Sequence, residues 1–352
     1  MANKLFLILL GAGLPLSVAG SLLHWDPTIL FIIYCATIVA LASYMGRATE
    51  SLAIVSGPRI GGLLNATFGN AVELIISIFA LKAGLVGVVL ASLTGSVLGN
   101  LLLVGGLSFF VGGLKFKRQE FSVYDARHNS GLLMFAVIVA FVIPEVFAMN
   151  MPERETMSLS IGVSAVLIAL YLAALFFKLV THRGVYATPG EEEAGGHEKP
   201  EWSKGVALTV LALATVAVAY VSENLVHTFE SVAARFGWSE LFIGVIIVAI
   251  VGNAAEHASA IIFAFKNKMN IAVEIAVGST LQIAMFVAPV LVFVSLFFDT
   301  PMPLVFSLPE LIAMATAVLL TISITNDGDT NWFEGLTLLG AYLIMGIGFF
   351  LL

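Results

Sequence analysis

Apolar stretches of about 20 residues, separated by short polar breaks, recur along the whole chain. A helix of that length crosses the ~30 Å hydrocarbon core of a bilayer, so each stretch is a candidate membrane span. The pattern predicts an all-α polytopic membrane protein with eleven transmembrane helices, at residues 5–23, 27–46, 61–81, 85–112, 129–148, 158–180, 205–226, 240–265, 271–297, 304–325 and 332–351. The first stretch is also compatible with a signal peptide. It is longer than the apolar region of one and lacks an obvious cleavage site, which favours a retained helix.

The composition agrees with membrane insertion. Charged residues make up 11% of the 352 positions and hydrophobic residues 59%, whereas an ordinary soluble domain is about 25% charged. A soluble fold of this size would be unable to cover so much apolar surface. Cys35 is the single cysteine and the 16 basic residues form no basic stripe, so redox chemistry and nucleic-acid binding are not expected.

Motifs of ATP hydrolysis and of intramembrane hydrolases are absent. The chain contains no G-x-x-x-x-G-K-[ST], no H-E-x-x-H and no G-x-S-x-G sequence. No catalytic residue is therefore predicted, and we expect an ion gradient to supply the energy for any transport.

The distribution of Lys and Arg predicts an orientation, because basic residues stay on the cytoplasmic side of short loops. With a cytoplasmic N-terminus, thirteen basic residues fall inside and three, Lys82, Arg154 and Arg235, fall outside. The C-terminus is then outside. Residues 182–204, which include the run Glu191 to Glu193, predict an acidic cytosolic linker; a solvated segment is favoured over a cation sensor.

An internal repeat connects the two halves of the chain. Sliding the sequence along itself aligns Gly69-Asn70-Ala71-Val72-Glu73 with Gly252-Asn253-Ala254-Ala255-Glu256 and, without a gap, Gly95-Ser96 with Gly278-Ser279. The predicted organisation is helix 1 (1–26), a first five-helix repeat (27–181), the linker (182–204) and a second five-helix repeat (205–352). Because five is odd, the second repeat is inverted in the membrane, as in many secondary transporters. The alternative is that the repeat records only close helix packing at glycines, as for Gly95-x-x-x-Gly99.

Glu73 and Glu256 lie in the middle of apolar stretches, where a carboxylate facing lipid would cost on the order of 3 kcal/mol. We therefore expect both to face a shared interior. Asn70 and Asn253 precede them by three residues, which places amide and carboxylate on one helical face. The following helices carry a similar polar stripe, formed by Ser96, Asn100, Ser279 and Gln282.

The ligand set suggests the transported ion. Oxygen ligands without cysteine suit a hard cation such as Ca²⁺ and argue against Zn²⁺ or Cu. Two ionised Glu neutralise one Ca²⁺ and two protonated Glu are neutral, whereas an empty site with two bare carboxylates is unfavourable in a low dielectric. The residues thus predict Ca²⁺/H⁺ antiport by alternating access, with Ca²⁺ as the substrate and no cofactor. A hydrogen-bonded Glu pair that only fixes helix register is the alternative.

Other ionisable residues give weaker signals. His257 adjoins Glu256 and either tunes or carries its proton, or simply hydrogen-bonds a carbonyl group. Glu223 and Glu274 lie near helix ends and are interpreted as lining ion entrances, and Glu310 is a further acidic residue inside a predicted span.

Two segments, GGLLNATFGNAVELI (Gly61–Ile75) and VGNAAEHASAI (Val251–Ile261), resemble the signature repeats of the cation/proton exchanger (CAX) family of the calcium/cation antiporter superfamily. A third segment, GSTLQIAMFVAP (Gly278–Pro289), also resembles sequences of this family. The resemblance, closest to bacterial Ca²⁺/H⁺ antiporters, implies a cell-membrane protein with a peripheral helix 1 and a possible homotrimer. It implies Ca²⁺ and H⁺ binding at Glu73 and Glu256, with a pathway along Asn70, Asn253, Ser96, Ser279, Gln282 and His257. Ala249 stands where many eukaryotic relatives are expected to have Pro.

Three alternative functions remain open at this point. A Na⁺/Ca²⁺ exchanger on the same fold would use a Ser/Thr-rich repeat containing Pro-Glu in place of Asn-Ala-x-Glu. A passive cation channel or an intramembrane enzyme would leave the inverted duplication without a role.

Overall fold

Long apolar helices make up most of the chain in a computed structural model, which describes residues 2–182 and 200–352. Nine of the helices described there are long and apolar enough to cross a membrane. The helices are α1 (Ala2–Leu22), α2 (Pro27–Ser56), α3 (Pro58–Phe68), α4 (Ala71–Lys82), α5 (Val86–Lys115), α6 (Val123–Ala148), α7 (Glu153–Thr181), α8 (Lys204–Phe236), α9 (Glu240–Phe265), α10 (Met269–Ser295), α11 (Leu308–Thr325) and α12 (Trp332–Leu351). The acidic run of the predicted linker, Glu191 to Glu193, lies outside the described residues.

Four of the eleven predicted spans differ clearly from the helices observed. The second and the seventh, predicted to end at residues 46 and 226, continue to Ser56 in α2 and to Phe236 in α8. The first has a short apolar helix, Phe6–Leu22, inside α1. The third is wrong as a single helix, because it is divided at Gly69 and Asn70 into α3 and α4, with Asn70 at φ −100° and ψ 19°. The all-α expectation also needs a small correction, since strands β1 (Gln119–Glu120) and β2 (Asp329–Thr330) form an antiparallel pair.

Polar residues at the helix ends explain where several helices begin. The Asp26 carboxylate accepts a hydrogen bond from the Thr28 N–H at 2.9 Å, and Pro27 occupies the first turn of α2, where no N–H donor is needed. At the start of α11, the Ser307 hydroxyl and N–H both donate to Glu310 in a capping box. Gly57, with φ +82°, ends α2 in a conformation that favours glycine.

Several helices contain π-helical turns, which widen the helix and are frequent at functional sites. One spans Gly99–Val104 in α5 and another Ile283–Val287 in α10. In the repeat alignment, which pairs Gly95 with Gly278, the first turn corresponds to positions 282–287. The two turns therefore occupy almost the same place in the two sequence repeats.

The first of two compact units comprises Met1–Ala83, Leu172–Trp238 and Val251–Ala255. Within it, α8 packs along α2, while α1 and α3 also pack against α2 and α4 packs against α8. The rings of Phe31 and Phe229 meet edge to face with centroids 6.4 Å apart. This unit draws residues from both predicted sequence repeats.

Ion pairs join helix ends within the first unit. The Arg235 guanidinium donates to Asp26 at 2.7 Å and, with the Thr28 N–H, holds the pKa of the Asp26 carboxyl below its usual value. Arg47 pairs with Glu201, which lowers the pKa of the Glu201 carboxyl, and lies beside the parallel rings of Tyr44 and Trp202. The C-terminal end of the predicted linker is thereby held against α2.

The second unit comprises Gly84–Tyr171, Ser239–Ile250 and Glu256–Leu352. Its helices approach one another closely at glycines, as membrane helices often do. A Cβ atom on Gly95 of α5 would lie 2.0 Å from the Val245 carbonyl oxygen of α9, and one on Gly244 would lie 2.5 Å from the Val88 carbonyl oxygen. These two glycines bring the backbones of α5 and α9 into direct contact.

Candidate ion-binding site

Glu73 lies in the first turn of α4, directly after the helix break at Asn70. The sequence placed Glu73 in the middle of one continuous helix, and the break corrects that expectation. The Glu73 side chain is fully buried, with 0% exposed. The dipole of α4 favours negative charge at its N-terminal end, so the broken helix provides a suitable environment for a buried carboxylate.

The second sequence motif contacts Glu73 within the first unit. The Asn253 side-chain amide donates a hydrogen bond to Glu73 Oε2 at 3.2 Å. The preceding residue, Gly252, allows this approach, because a Cβ atom there would lie only 3.2 Å from Glu73 Cβ. The segments Gly69–Glu73 and Gly252–Glu256 share the pattern Gly-Asn-Ala-x-Glu, here called the GNAxE motif. The Asn253 amide of the second motif therefore binds the Glu73 carboxylate of the first.

Glu256 lies one turn beyond Asn253 in α9, and its environment belongs to the second unit. The Ser279 hydroxyl of α10 donates to Glu256 Oε2 at 2.5 Å. In contrast to Glu73, Glu256 is in the middle of a helix that continues through Gly252 and Asn253 without a break, and its side chain is only partly buried.

His257 and Asn100 form a polar pair in the interior of the second unit. His257 Nε2 lies 3.2 Å from Asn100 Oδ1, and both side chains are buried. This contact joins α9 to the start of the π-helical turn in α5. The hydrogen bond of His257 to a carbonyl group is thus present, and the group is the side-chain carbonyl of Asn100.

The remaining predicted residues are spread over both units. Glu223 on α8 accepts a hydrogen bond from the Lys82 ammonium at 2.9 Å, and Glu274 is exposed on α10. Ser96 is buried on α5, Asn70 is buried at the start of α4, and Gln282 is half-buried on α10. In the described part of the chain, no three His, Cys, Asp or Glu residues cluster to hold a metal ion.

Glu310 has a structural position that the sequence did not indicate. Its carboxylate is buried at the N-terminus of α11, where it accepts hydrogen bonds from Ser307 and, at 3.1 Å, from the Thr94 hydroxyl of α5. Sequence reasoning missed Thr94 entirely. The one available signal was the S-x-x-E pattern at residues 307–310, which is typical of a helix start.

The fold and the site define a multi-pass membrane protein with carboxylates buried among apolar helices. The chain matches the sodium/calcium exchanger protein family over residues 27–180 and 206–351, and it belongs to this family. The resemblance based on the two GNAxE segments is confirmed: the protein is a transporter of the bacterial cation/proton exchanger type.

Individual relatives agree with this assignment. The chain is 74% identical over 350 residues to the Ca²⁺/H⁺ antiporter ChaA of Bacillus subtilis (strain 168), covering 99% of this chain and 100% of the relative. The structure of native YfkE is similar with a TM-score of 0.87 at 70% identity, covering 99% and 100% of the two chains. The H⁺/Ca²⁺ exchanger CAX shares the fold, with a TM-score of 0.74 at 17% identity, covering 99% and 92%.

Proposed function

We propose that this protein is a secondary active antiporter that exports cytosolic Ca²⁺ in exchange for protons. The observation that carries the proposal is the fully buried Glu73 carboxylate, held by Asn253 of the second GNAxE motif. The name of the 74% identical relative, Ca²⁺/H⁺ antiporter, supports the same substrates. Sodium coupling is not favoured by these relatives.

Glu73 and Glu256 are the proposed Ca²⁺ and proton ligands. A carboxylate in a low-dielectric interior is stabilised by a bound cation or by protonation, and it is unfavourable when neither is present. Two carboxylates balance one Ca²⁺ or two protons, so both loaded states are neutral and the unloaded state is not. Because the unloaded site is charged and unfavourable, the transport of Ca²⁺ in one direction is coupled to the transport of protons in the other. The exposed Glu274 is proposed to line an entrance, and Ser279 and His257 to orient the site.

The membrane arrangement proposed for this function has eleven spans, a cytoplasmic N-terminus and two inverted five-helix repeats. Thirteen of sixteen basic residues on one side support the orientation. The π-helical turns at Gly99–Val104 and Ile283–Val287, which fall at matching repeat positions, support the duplication. The break before α4 supports the mechanism, because interrupted helices place dipole ends at transported ions.

Calcium uptake into everted membrane vesicles tests the proposal. With the interior acidified, ⁴⁵Ca²⁺ uptake is expected to follow the proton gradient and to be the same with and without Na⁺. An uncoupler that dissipates the pH gradient should stop the uptake. Uptake that persists after dissipation would contradict proton coupling, and uptake that requires Na⁺ would indicate sodium exchange instead.

Gly252→Ala is expected to weaken Ca²⁺ transport without unfolding the protein. The new Cβ atom would lie 3.2 Å from Glu73 Cβ, so Glu73 or α9 must shift by a few tenths of an ångström. Such overpacking costs about 1–3 kcal/mol, and ~1.4 kcal/mol corresponds to a tenfold higher KM for Ca²⁺. KM is measured in vesicles against Gly162→Ala of α7, where an added Cβ meets nothing within 4 Å. Equal KM values for the two variants would show that this approach does not position Glu73.

A further inference from the structure

The turn between α9 and α10 is bound by a buried glutamine of the second unit. Gln119 on strand β1 is 1% exposed, and its Nε2 atom donates two hydrogen bonds of 2.9 Å. One goes to the Ala264 carbonyl oxygen in the last turn of α9, and the other goes to Asn267 Oδ1. The Ala264 oxygen also accepts the Asn267 N–H at 3.0 Å, so Gln119 binds both residues that close the turn.

Two neighbouring contacts tie the same segment to the ends of both helices. The Lys115 ammonium donates to the Phe265 carbonyl oxygen of α9 at 3.0 Å. The Ser122 N–H donates to Asn270 Oδ1 in the first turn of α10 at 2.6 Å. Among these contacts, the hydrogen bond of Gln119 to the Ala264 carbonyl is buried, whereas that of Lys115 is exposed. Water competes least for the buried bond, so Gln119 is the contact that matters most for holding the turn.

The internal repeat shows how the turn acquired a side-chain acceptor. Asn267 has φ +61°, and in the repeat alignment it corresponds to Gly84, which has φ +78° in the turn before α5. Gly adopts this left-handed conformation freely, and Asn adopts it more readily than most other residues, so both suit the backbone of the turn. Asn267 adds an acceptor oxygen that Gly84 lacks, and Gln119 donates to it.

Gly112 of α5 makes room for the Gln119 side chain. A Cβ atom on Gly112 would overlap Gln119 Oε1. The amide is therefore held with Oε1 against α5 and with Nε2 towards the turn. A larger residue at position 112 would displace Gln119 from both of its acceptors.

We infer that Gln119 is a positioning residue for Glu256 and Ser279 of the proposed ion site. The turn that Gln119 binds joins α9, which carries Glu256, to α10, which carries Ser279. The Ser279 hydroxyl donates to Glu256 at 2.5 Å, and such a bond weakens when the two helices shift against each other. Ala264 lies only about two helical turns beyond Glu256, so a displaced end of α9 moves the carboxylate with it. This inference rests on the proposed function for the role of Glu256.

Amide hydrogen exchange tests the contact at the turn without any transport measurement. Gln119→Met keeps the length of the side chain and removes its N–H donors, so the turn should open more often. The N–H groups of Lys266, Asn267 and Lys268 bond to carbonyl groups of residues 262–264, and we expect them to exchange at least about tenfold faster in the purified variant. Lys117→Gln, an exposed change on the same segment, should leave this exchange unchanged. Unchanged exchange in Gln119→Met would overturn the inference, whatever the transport assay shows.

The positioning role is tested by separating KM from the maximal rate of Ca²⁺ uptake. Gln119→Met is expected to raise the KM for Ca²⁺ about tenfold, roughly the factor that two hydrogen bonds supply, because Ca²⁺ must then restore the position of Glu256. The maximal rate should stay the same, since the loaded site is unchanged once it has formed. Asn267→Gly keeps the left-handed turn and removes one of the two acceptors, so its KM should rise about threefold.

The two measurements together separate the possible failures. Faster exchange at the turn with an unchanged KM would show that Gln119 only stabilises the turn, and it would overturn the positioning role. Absence of proton-driven uptake in the unaltered protein would contradict the proposed function and, with it, the positioning role, while the exchange result would still describe the turn.

Gly112→Ala gives an independent test in which Gln119 itself is retained. The added Cβ atom should displace the Gln119 amide from the turn. The variant is therefore expected to show the faster exchange and the raised KM of Gln119→Met. Native exchange and a native KM in Gly112→Ala would overturn the inference, because the amide cannot keep its place beside a Cβ atom at position 112.

Discussion

Glu73→Gln is expected to abolish Ca²⁺/H⁺ exchange while leaving the protein folded. The glutamine keeps the size of the side chain and an oxygen that can accept the Asn253 hydrogen bond, so the contact of α9 with α4 is retained. It removes the negative charge that the N-terminal end of α4 favours and that Ca²⁺ requires. Removing one partner of a buried charge pair costs about 3–5 kcal/mol, which corresponds to a loss of 100-fold or more in Ca²⁺ binding.

The control for this prediction is Glu230→Gln, the same chemical change at an exposed position of α8. Both variants should elute as the native protein does in size-exclusion chromatography, but only Glu73→Gln should lose gradient-driven ⁴⁵Ca²⁺ uptake. Glu73→Asp keeps the charge on a shorter side chain and is expected to raise KM without abolishing uptake. Normal uptake by Glu73→Gln would exclude Glu73 as an ion ligand.

Much of the fold follows from the sequence, because the membrane imposes simple requirements. A span needs about 20 apolar residues, and polar breaks must lie at the surface. Helices α5 to α12 accordingly overlap the predicted stretches, with the largest difference at α8, which continues ten residues beyond its predicted end. The helix break at Gly69 and Asn70 does not follow, because the second motif contains the same Gly-Asn-Ala sequence in an unbroken helix. Local sequence is nearly identical at the two sites, so the surroundings of each motif in the fold decide which helix is interrupted.

The candidate site was predicted as a set of residues but not as a set of contacts. Helical spacing placed Asn253 on the same face as Glu256, three residues away. In the structure, the Asn253 amide donates to Glu73 of the other motif, while Glu256 accepts from Ser279. Residues three apart in a helix point in directions that differ by about 60°, so Asn253 and Glu256 can share a face and still contact different helices. Only the packing of α4 against the Gly252 surface determines which carboxylate Asn253 reaches.

Gly95→Ala is expected to give the largest loss of stability among alanine substitutions at the repeat-related glycines. Its Cβ atom would lie 2.0 Å from the Val245 carbonyl oxygen, and backbone cannot rotate away as a side chain can. Helices α5 and α9 must therefore separate, which also opens the reciprocal contact of Gly244 with Val88. Overpacking of this kind costs about 3 kcal/mol or more, since the close approach is what stabilises such helix pairs.

The internal repeat provides the matched control, Gly278→Ala. Gly278 aligns with Gly95 in the two repeats, yet an added Cβ atom there meets nothing within 4 Å. Alanine is the better helix former by about 1 kcal/mol, so Gly278→Ala should be neutral or slightly stabilising. Thermal unfolding of both purified variants in detergent measures the difference. If the two variants had the same Tm, the contact of α5 with α9 would not depend on Gly95, and the difference between the two halves of the repeat would have no energetic consequence at this position.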